Sequence, residues 1–134
     1  MARIVLMLFL MLIFTVPTFA EGEMVSLVTP QTVDFAICTK TYPMSQEKLF
    51  YTAIAAANAN RFVIEEIQSK TGYILFSAAG KQYLASVVKV GLNRSQLKIT
   101  PTNNNYFFPP GVVLNFFKYI DLNGDVALKV IPKV

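Results

Sequence analysis

Between Arg61 and Pro101 the chain alternates short apolar runs with glycine-bearing polar breaks, reading RFVIEEIQ, SKTG, YILFSAA, GK, QYLASVVKV, GLNRS and QLKITP. Runs of this length bounded by turn residues predict a meander of four antiparallel strands. Ser69 to Gly72 supplies the first turn, with Gly72 free to take positive φ. Gly80-Lys81 fits a two-residue hairpin connection with glycine leading, and Gly91 to Ser95 makes a looser third turn. In the last strand Leu97 and Ile99 alternate with Gln96, Lys98 and Thr100, so one side faces water. Ile74, Phe76 and Ala78 face one way in the second strand, and Tyr73, Leu75 and Ser77 the other. A sheet with apolar residues on both sides is covered twice or offers a surface to something else.

The pattern on either side has a different period. Leu49, Phe50, Ala53, Ile54 and Ala57 share one helical face. Ser45 stands at the N-cap position, Glu47 lies in the first turn where the helix dipole favours a negative charge, and Asn58 and Asn60 suit the C-terminal end. After Pro101 and the polar stretch Thr102 to Asn105, Pro110 opens a second helix. Val113, Phe116, Phe117 and Ile120 form its face, and Asn123-Gly124 is its expected stop. Val126, Leu128 and Val130 then alternate with Ala127, Lys129 and Ile131, which predicts a final strand ending at Pro132. Upstream, Val33, Phe35 and Ile37 alternate with Asp34, Ala36 and Cys38, which predicts another strand after Pro30. The expected fold is α+β: an antiparallel sheet of four to six strands with two helices packed on one face.

The first twenty residues stand apart. Met1-Ala2-Arg3 precedes an apolar stretch from Ile4 to Val16, and Pro17 to Ala20 offers small residues before Glu21-Gly22-Glu23. This predicts a signal peptide over residues 1–20, the alternative being an uncleaved anchor. Residues 21–44 are then a lead-in that stays loose or holds an edge strand, and residues 45–134 form one α+β domain. The expected destination is export: periplasmic or envelope-associated in a bacterium, secreted otherwise.

Twelve basic against eight acidic residues give +4, and losing Arg3 with the leader leaves eleven against eight, or +3. That excess suits an anionic surface, while export argues against nucleic acid as a partner. Cys38 is the single cysteine, so no internal disulfide forms. Histidine is absent, which removes the usual general base, histidine-dependent nucleophile activation and the common zinc sites. Glu65 and Glu66 are neighbours on a strand and are expected on opposite faces. Asp121-Leu122-Asn123-Gly124-Asp125 has calcium-type residues, but its glycine falls fourth rather than sixth; a helix cap and turn accounts for it. Asn93-Arg94-Ser95 matches the glycosylation acceptor. The sequence therefore predicts no enzyme, no cofactor and no metal site.

Aromatic residues are the remaining candidates: Tyr106, Phe107 and Phe108 in succession, then Phe116, Phe117 and Tyr119. They either fill the core or form an apolar patch for a lipid tail, a peptide or a partner subunit. Three consecutive aromatics cannot all point inward from one extended segment, so at least one is expected at the surface. A cavity lined by Phe116, Phe117 and Leu75 would mark a ligand site, and replacing Phe107 and Phe108 together is expected to spare the fold.

The order helix, four-stranded meander, helix, with Ala57 to Ile64 leading into Gly72-Tyr73-Ile74, resembles small exported bacterial envelope domains of uncharacterised function. The resemblance spans roughly residues 45–120. It implies an envelope-associated module without catalytic activity and transfers no functional residues. The resulting expectation is a non-catalytic exported module for protein–protein interaction or self-assembly, binding through Tyr106, Phe107, Phe108, Phe116 and Phe117. The alternative is a small carrier or sensor of an apolar, lipid-like ligand held between sheet and second helix; a membrane surface is a further possible partner.

Overall fold

A computed structural model describes residues 27–130, with side chains through Asn123. The expected signal peptide and its cleavage site lie outside the described residues, as do the last two positions of the expected final strand, Ile131 and Pro132.

Among the described residues, seven strands and two α-helices follow one another: β1 (Gln31–Thr32), β2 (Thr39–Tyr42), α1 (Gln46–Ala59), β3 (Val63–Gln68), β4 (Tyr73–Ala78), β5 (Lys81–Gly91), β6 (Arg94–Pro101), β7 (Phe107–Phe108) and α2 (Gly111–Val130). Five form an antiparallel sheet in the order β2-β6-β5-β4-β3, and β1 pairs with β7 in a separate two-stranded ladder. Both helices cover the same face of the sheet, so the fold is α+β as the pattern predicts.

α1 begins where its chemistry says it should. The Ser45 side chain accepts from the Lys48 N–H, Glu47 occupies the first turn, and Asn60 closes the end with its backbone N–H on the Ala56 carbonyl. Leu49, Phe50, Ala53 and Ala57 are buried, as are Thr52 and Ala56. The alanines let the helix lie close to the strands beneath it.

The meander holds its four strands but its turns differ from expectation. Ala78 pairs with Lys81, so the β4–β5 connection is Ala79-Gly80 rather than Gly80-Lys81. Both residues have positive φ, at 50° and 77°, the backbone that matches the twist of paired strands. Gly91 pairs with Arg94, which makes the third turn tight: Leu92-Asn93, with Asn93 at φ 53°.

Three further expectations fail for local reasons. Phe35–Cys38 is a 3-10 turn instead of a strand, because the Asp34 carboxylate accepts from the Ala36 N–H and pulls the backbone round. Asn123-Gly124 does not stop α2, which continues to Val130, so no strand forms over 125–130. The Asn123 side chain donates back to the Tyr119 carbonyl within the helix instead of capping it. Finally, Glu65 is the extra residue of a β-bulge: Ile64 pairs with Phe76 and Glu66 with Leu75, leaving Glu65 without a partner.

The core lies between sheet and helices as a continuous series of rings. Phe62 stacks on Phe76 at 5.4 Å, Phe76 on Tyr83 at 5.4 Å, and Phe108 meets Tyr83 edge-on at 5.2 Å. Phe116 of α2 lies 5.4 Å from Phe76 and 6.3 Å from Phe62. At the far edge, Lys40 of β2 and Asp121 of α2 form an exposed ion pair at 2.7 Å.

Candidate functional site

The structure distributes the five aromatic candidates over three environments. Phe116 and Phe117 are buried in the core face of α2. Phe108 is 1% exposed and Phe107 is 53% exposed; successive residues of β7 point to opposite sides, so one seals the core and the other faces solvent. Tyr106 lies at the surface edge, its ring meeting Phe35 at 5.7 Å and Phe108 at 6.2 Å. Segment 106–108 is therefore not one patch, and because Phe108 is core the joint replacement of Phe107 and Phe108 is now expected to destabilise the fold instead of sparing it.

Nor do Phe116, Phe117 and Leu75 come together. Leu75 alternates with the buried Ile74 and Phe76, which places it on the helix-free face. The space beneath α2 that an apolar ligand would need is occupied by the Phe62, Phe76 and Phe116 rings. An open groove of about 500 Å³ lies instead at the start of β3, lined by Leu27, Arg61, Phe62, Val63 and Ala79 among others.

The helix-free face is where the polar side chains are organised. Tyr73, Ser77 and Gln82 alternate against the buried Ile74, Phe76 and Tyr83, so they point outward. Ser77 Oγ and Gln82 Nε2 donate to the Glu65 carboxylate, and Tyr73 Oη donates to Glu66 at 2.9 Å. Both carboxylates thus stand on the same face, contrary to simple alternation, because the bulge inserts one residue between them. The two donors hold Glu65 below the ordinary carboxylate range, which suits a fixed acceptor and not a general acid. The cross-strand pair Leu75 and Leu84 lies half-buried among these polar groups. Val63 on the same face is 63% exposed.

Buried titratable groups lie on the other side of the sheet. Burial pushes the Cys38 thiol up to about 11, with the Asp34 charge adding to it, so the thiol is protonated and inert at neutral pH. Burial likewise raises Tyr83 to about 12, and raises Tyr42 with help from Asp121. Among the described residues, no group of three or more histidine, cysteine, aspartate or glutamate side chains converges in a way that would hold a metal ion. No helix among them is long and apolar enough to cross a membrane.

One exposed feature escaped the reading of the sequence. Val88, Val90 and Leu92, at 51%, 49% and 86% exposure, crowd the end of the β5–β6 hairpin. The signal was available in SVVKVGL, an apolar run that outlasts the neighbouring strand, but its length relative to β4 is a tertiary fact.

Comparison with known proteins finds no family model that matches the chain and no curated protein that matches it.

Proposed function

We propose that the chain is a non-catalytic exported module, associated with the cell envelope, that recognises a protein partner through the helix-free face of its sheet. The observation carrying this reading is the asymmetry of the two faces. One is closed by both helices over interlocked rings; the other presents half-buried Leu75 and Leu84 framed by carboxylates already fixed by Tyr73, Ser77 and Gln82. Apolar contacts bordered by pre-ordered polar groups give up little side-chain freedom on association. Carriage of a lipid-like ligand has less support, because the rings already fill the space between sheet and α2.

Photo-crosslinking in the native host tests this. A benzophenone amino acid at Leu84 is expected to capture a defined protein, with another copy of the chain meaning self-assembly. The same group at Tyr51, on the exposed side of α1, is expected to capture none. Equal capture from both positions refutes a recognition face. Native mass spectrometry showing a retained adduct of a few hundred daltons would replace the module with the carrier.

A further inference from the structure

The β5–β6 hairpin is longer than the strands beside it. β4 pairs with β5 only as far as Ser86, and β2 pairs with β6 only as far as Ser95. Past Ser86, β5 is paired on its β6 side alone: Val88 with Gln96 and Lys89 with Ser95, both still flanked by β2, and then Gly91 with Arg94 beyond both neighbours, so the closing pair and its turn Leu92-Asn93 project from the end of the sheet. The apolar side chains along this end of the hairpin are Val88, Val90 and Leu92. Exposed aliphatics at a projecting tip are unusual, because a sheet end that only faces water is normally polar.

The charges around the tip are mostly basic. Lys89 and Arg94 lie on the hairpin itself, both exposed. The β3–β4 turn is tied to the same end by the Val87 N–H on the Gly72 carbonyl at 2.7 Å, and it carries Lys70. The start of α1 is tied there by Gln46 Nε2 on the Val87 carbonyl at 3.0 Å, and it brings Lys48 together with Glu47. Four cations thus face one acid. None of the four makes an ion pair among the described residues. Glu65 and Glu66 lie further along on β3, occupied by their own donors.

Aliphatic side chains at an apex, encircled by cations, complement one surface in particular: an anionic bilayer, whose acyl region takes the aliphatics while its phosphates meet the cations. A protein partner would need a matched acidic pocket; a bilayer requires only this ordering of apolar tip and basic collar. We propose that the β5–β6 tip docks the chain on an anionic phospholipid membrane. Docked in this way, the strands run toward the membrane and the helix-free face stays open to a partner, so the proposal goes beyond the recognition function and does not depend on it.

The chain has no tryptophan, so Leu92→Trp installs a single fluorescent reporter at the apex. The chain starting at Glu21 retains every described residue and omits the apolar stretch from Ile4 to Val16. Vesicles of phosphatidylglycerol and phosphatidylcholine are expected to shift the emission to the blue, and phosphatidylcholine alone to leave it unchanged. Each cation near such a surface is worth about fivefold in affinity. Adding Lys89→Glu and Arg94→Glu to the reporter chain is therefore expected to weaken the shift at least tenfold, with far-UV circular dichroism unchanged. In co-sedimentation of the otherwise unaltered chain, Leu92→Ser is expected to cost on the order of tenfold. No shift with anionic vesicles, or a shift insensitive to charge reversal, overturns the proposal. A blue shift that grows with protein concentration in the absence of lipid overturns it in favour of a second copy covering the tip.

Discussion

Phe107 and Phe108 are adjacent, identical in chemistry and opposite in environment, which makes them a sharp test of the fold. Replacing Phe108 with serine empties a site that is 1% exposed. It removes the edge-on contact with Tyr83 at 5.2 Å and the surface over which Lys81 Nζ sits at 5.8 Å. Truncating a buried phenylalanine costs about 3–5 kcal/mol, through lost transfer energy and the cavity left behind. The lost ring and cation contacts keep the figure near the middle of that range, about 4 kcal/mol. Phe107, 53% exposed, loses less than half of a phenylalanine's burial on the same replacement, below about 1.5 kcal/mol. Urea titration followed by far-UV circular dichroism reads the difference. With a slope of roughly 1.5 kcal/mol per molar, Phe108→Ser lowers the midpoint by about 2–3 M and Phe107→Ser by less than about 1 M. Domains of this kind have about 5–15 kcal/mol in total, so the first variant retains about 1–11 kcal/mol and is marginal at the lower end of that range. Equal losses, or a larger loss from Phe107, would refute the pairing of β1 with β7 and the inward position of Phe108.

Three other outcomes follow from particular contacts. Gly72 has φ +74° and an added Cβ would meet the Val87 carbonyl at 2.8 Å, whereas Gly80, φ +77°, has nothing within 4 Å. Gly80→Ala is expected to cost about 1–2 kcal/mol for the left-handed backbone alone, and Gly72→Ala distinctly more, as thermal midpoints will show. Asp121→Asn removes the ion pair with Lys40, whose side chains are each 42% exposed; the expected loss is below about 1 kcal/mol and vanishes in high salt. Stability is expected to fall in alkali. Cys38 is raised from 9.0 to about 11 and Tyr83 from 10.0 to about 12, so their contribution is intact below pH 9 and is lost as the pH climbs toward 12. Midpoints of urea unfolding between pH 8 and 11 check the direction. A thiol reagent that modifies the folded chain rapidly at pH 8 would contradict the burial of Cys38.

Where residues interact with near neighbours in sequence, the pattern of the chain was readable. The Ser45 cap, the apolar stripe of α1 and the period-two alternation of β4 and β6 all involve contacts within a few positions, and all are found in place. The misreadings have a common origin in alternation taken at face value. Val33 to Cys38 alternates like a strand, yet one short-range bond from Asp34 outweighs the pattern and coils it into a turn. Glu65 and Glu66 should oppose each other, yet a single bulged residue turns both outward. Asn123-Gly124 reads as a stop, but a helix whose buried face already runs from Val112 to Ile120 carries on through a glycine that costs only about 1 kcal/mol.

The candidate site was less legible for a deeper reason: exposure is a property of pairs. Whether Phe107 or Phe108 faces water is decided by pairing with Thr32 and Gln31, more than seventy positions earlier. Val88 alternates with the buried Val87 and so faces the helix-free side; how exposed it is there depends on where β4 ends, and that is fixed by the Ser69 to Gly72 turn and not by Val88 itself. Aromatic density in sequence therefore identified the core more than the surface. The exposed chemistry lies at positions whose neighbours stop short: the bulge on β3, and the hairpin tip beyond the reach of β4 and β2. Both are places where one strand is longer than its partner by a residue or more. Replacing Val88, Val90 and Leu92 with polar residues would remove the apolar apex while leaving every pairing with β4 and β2 in place, so binding at the tip and stability of the sheet are separable by design.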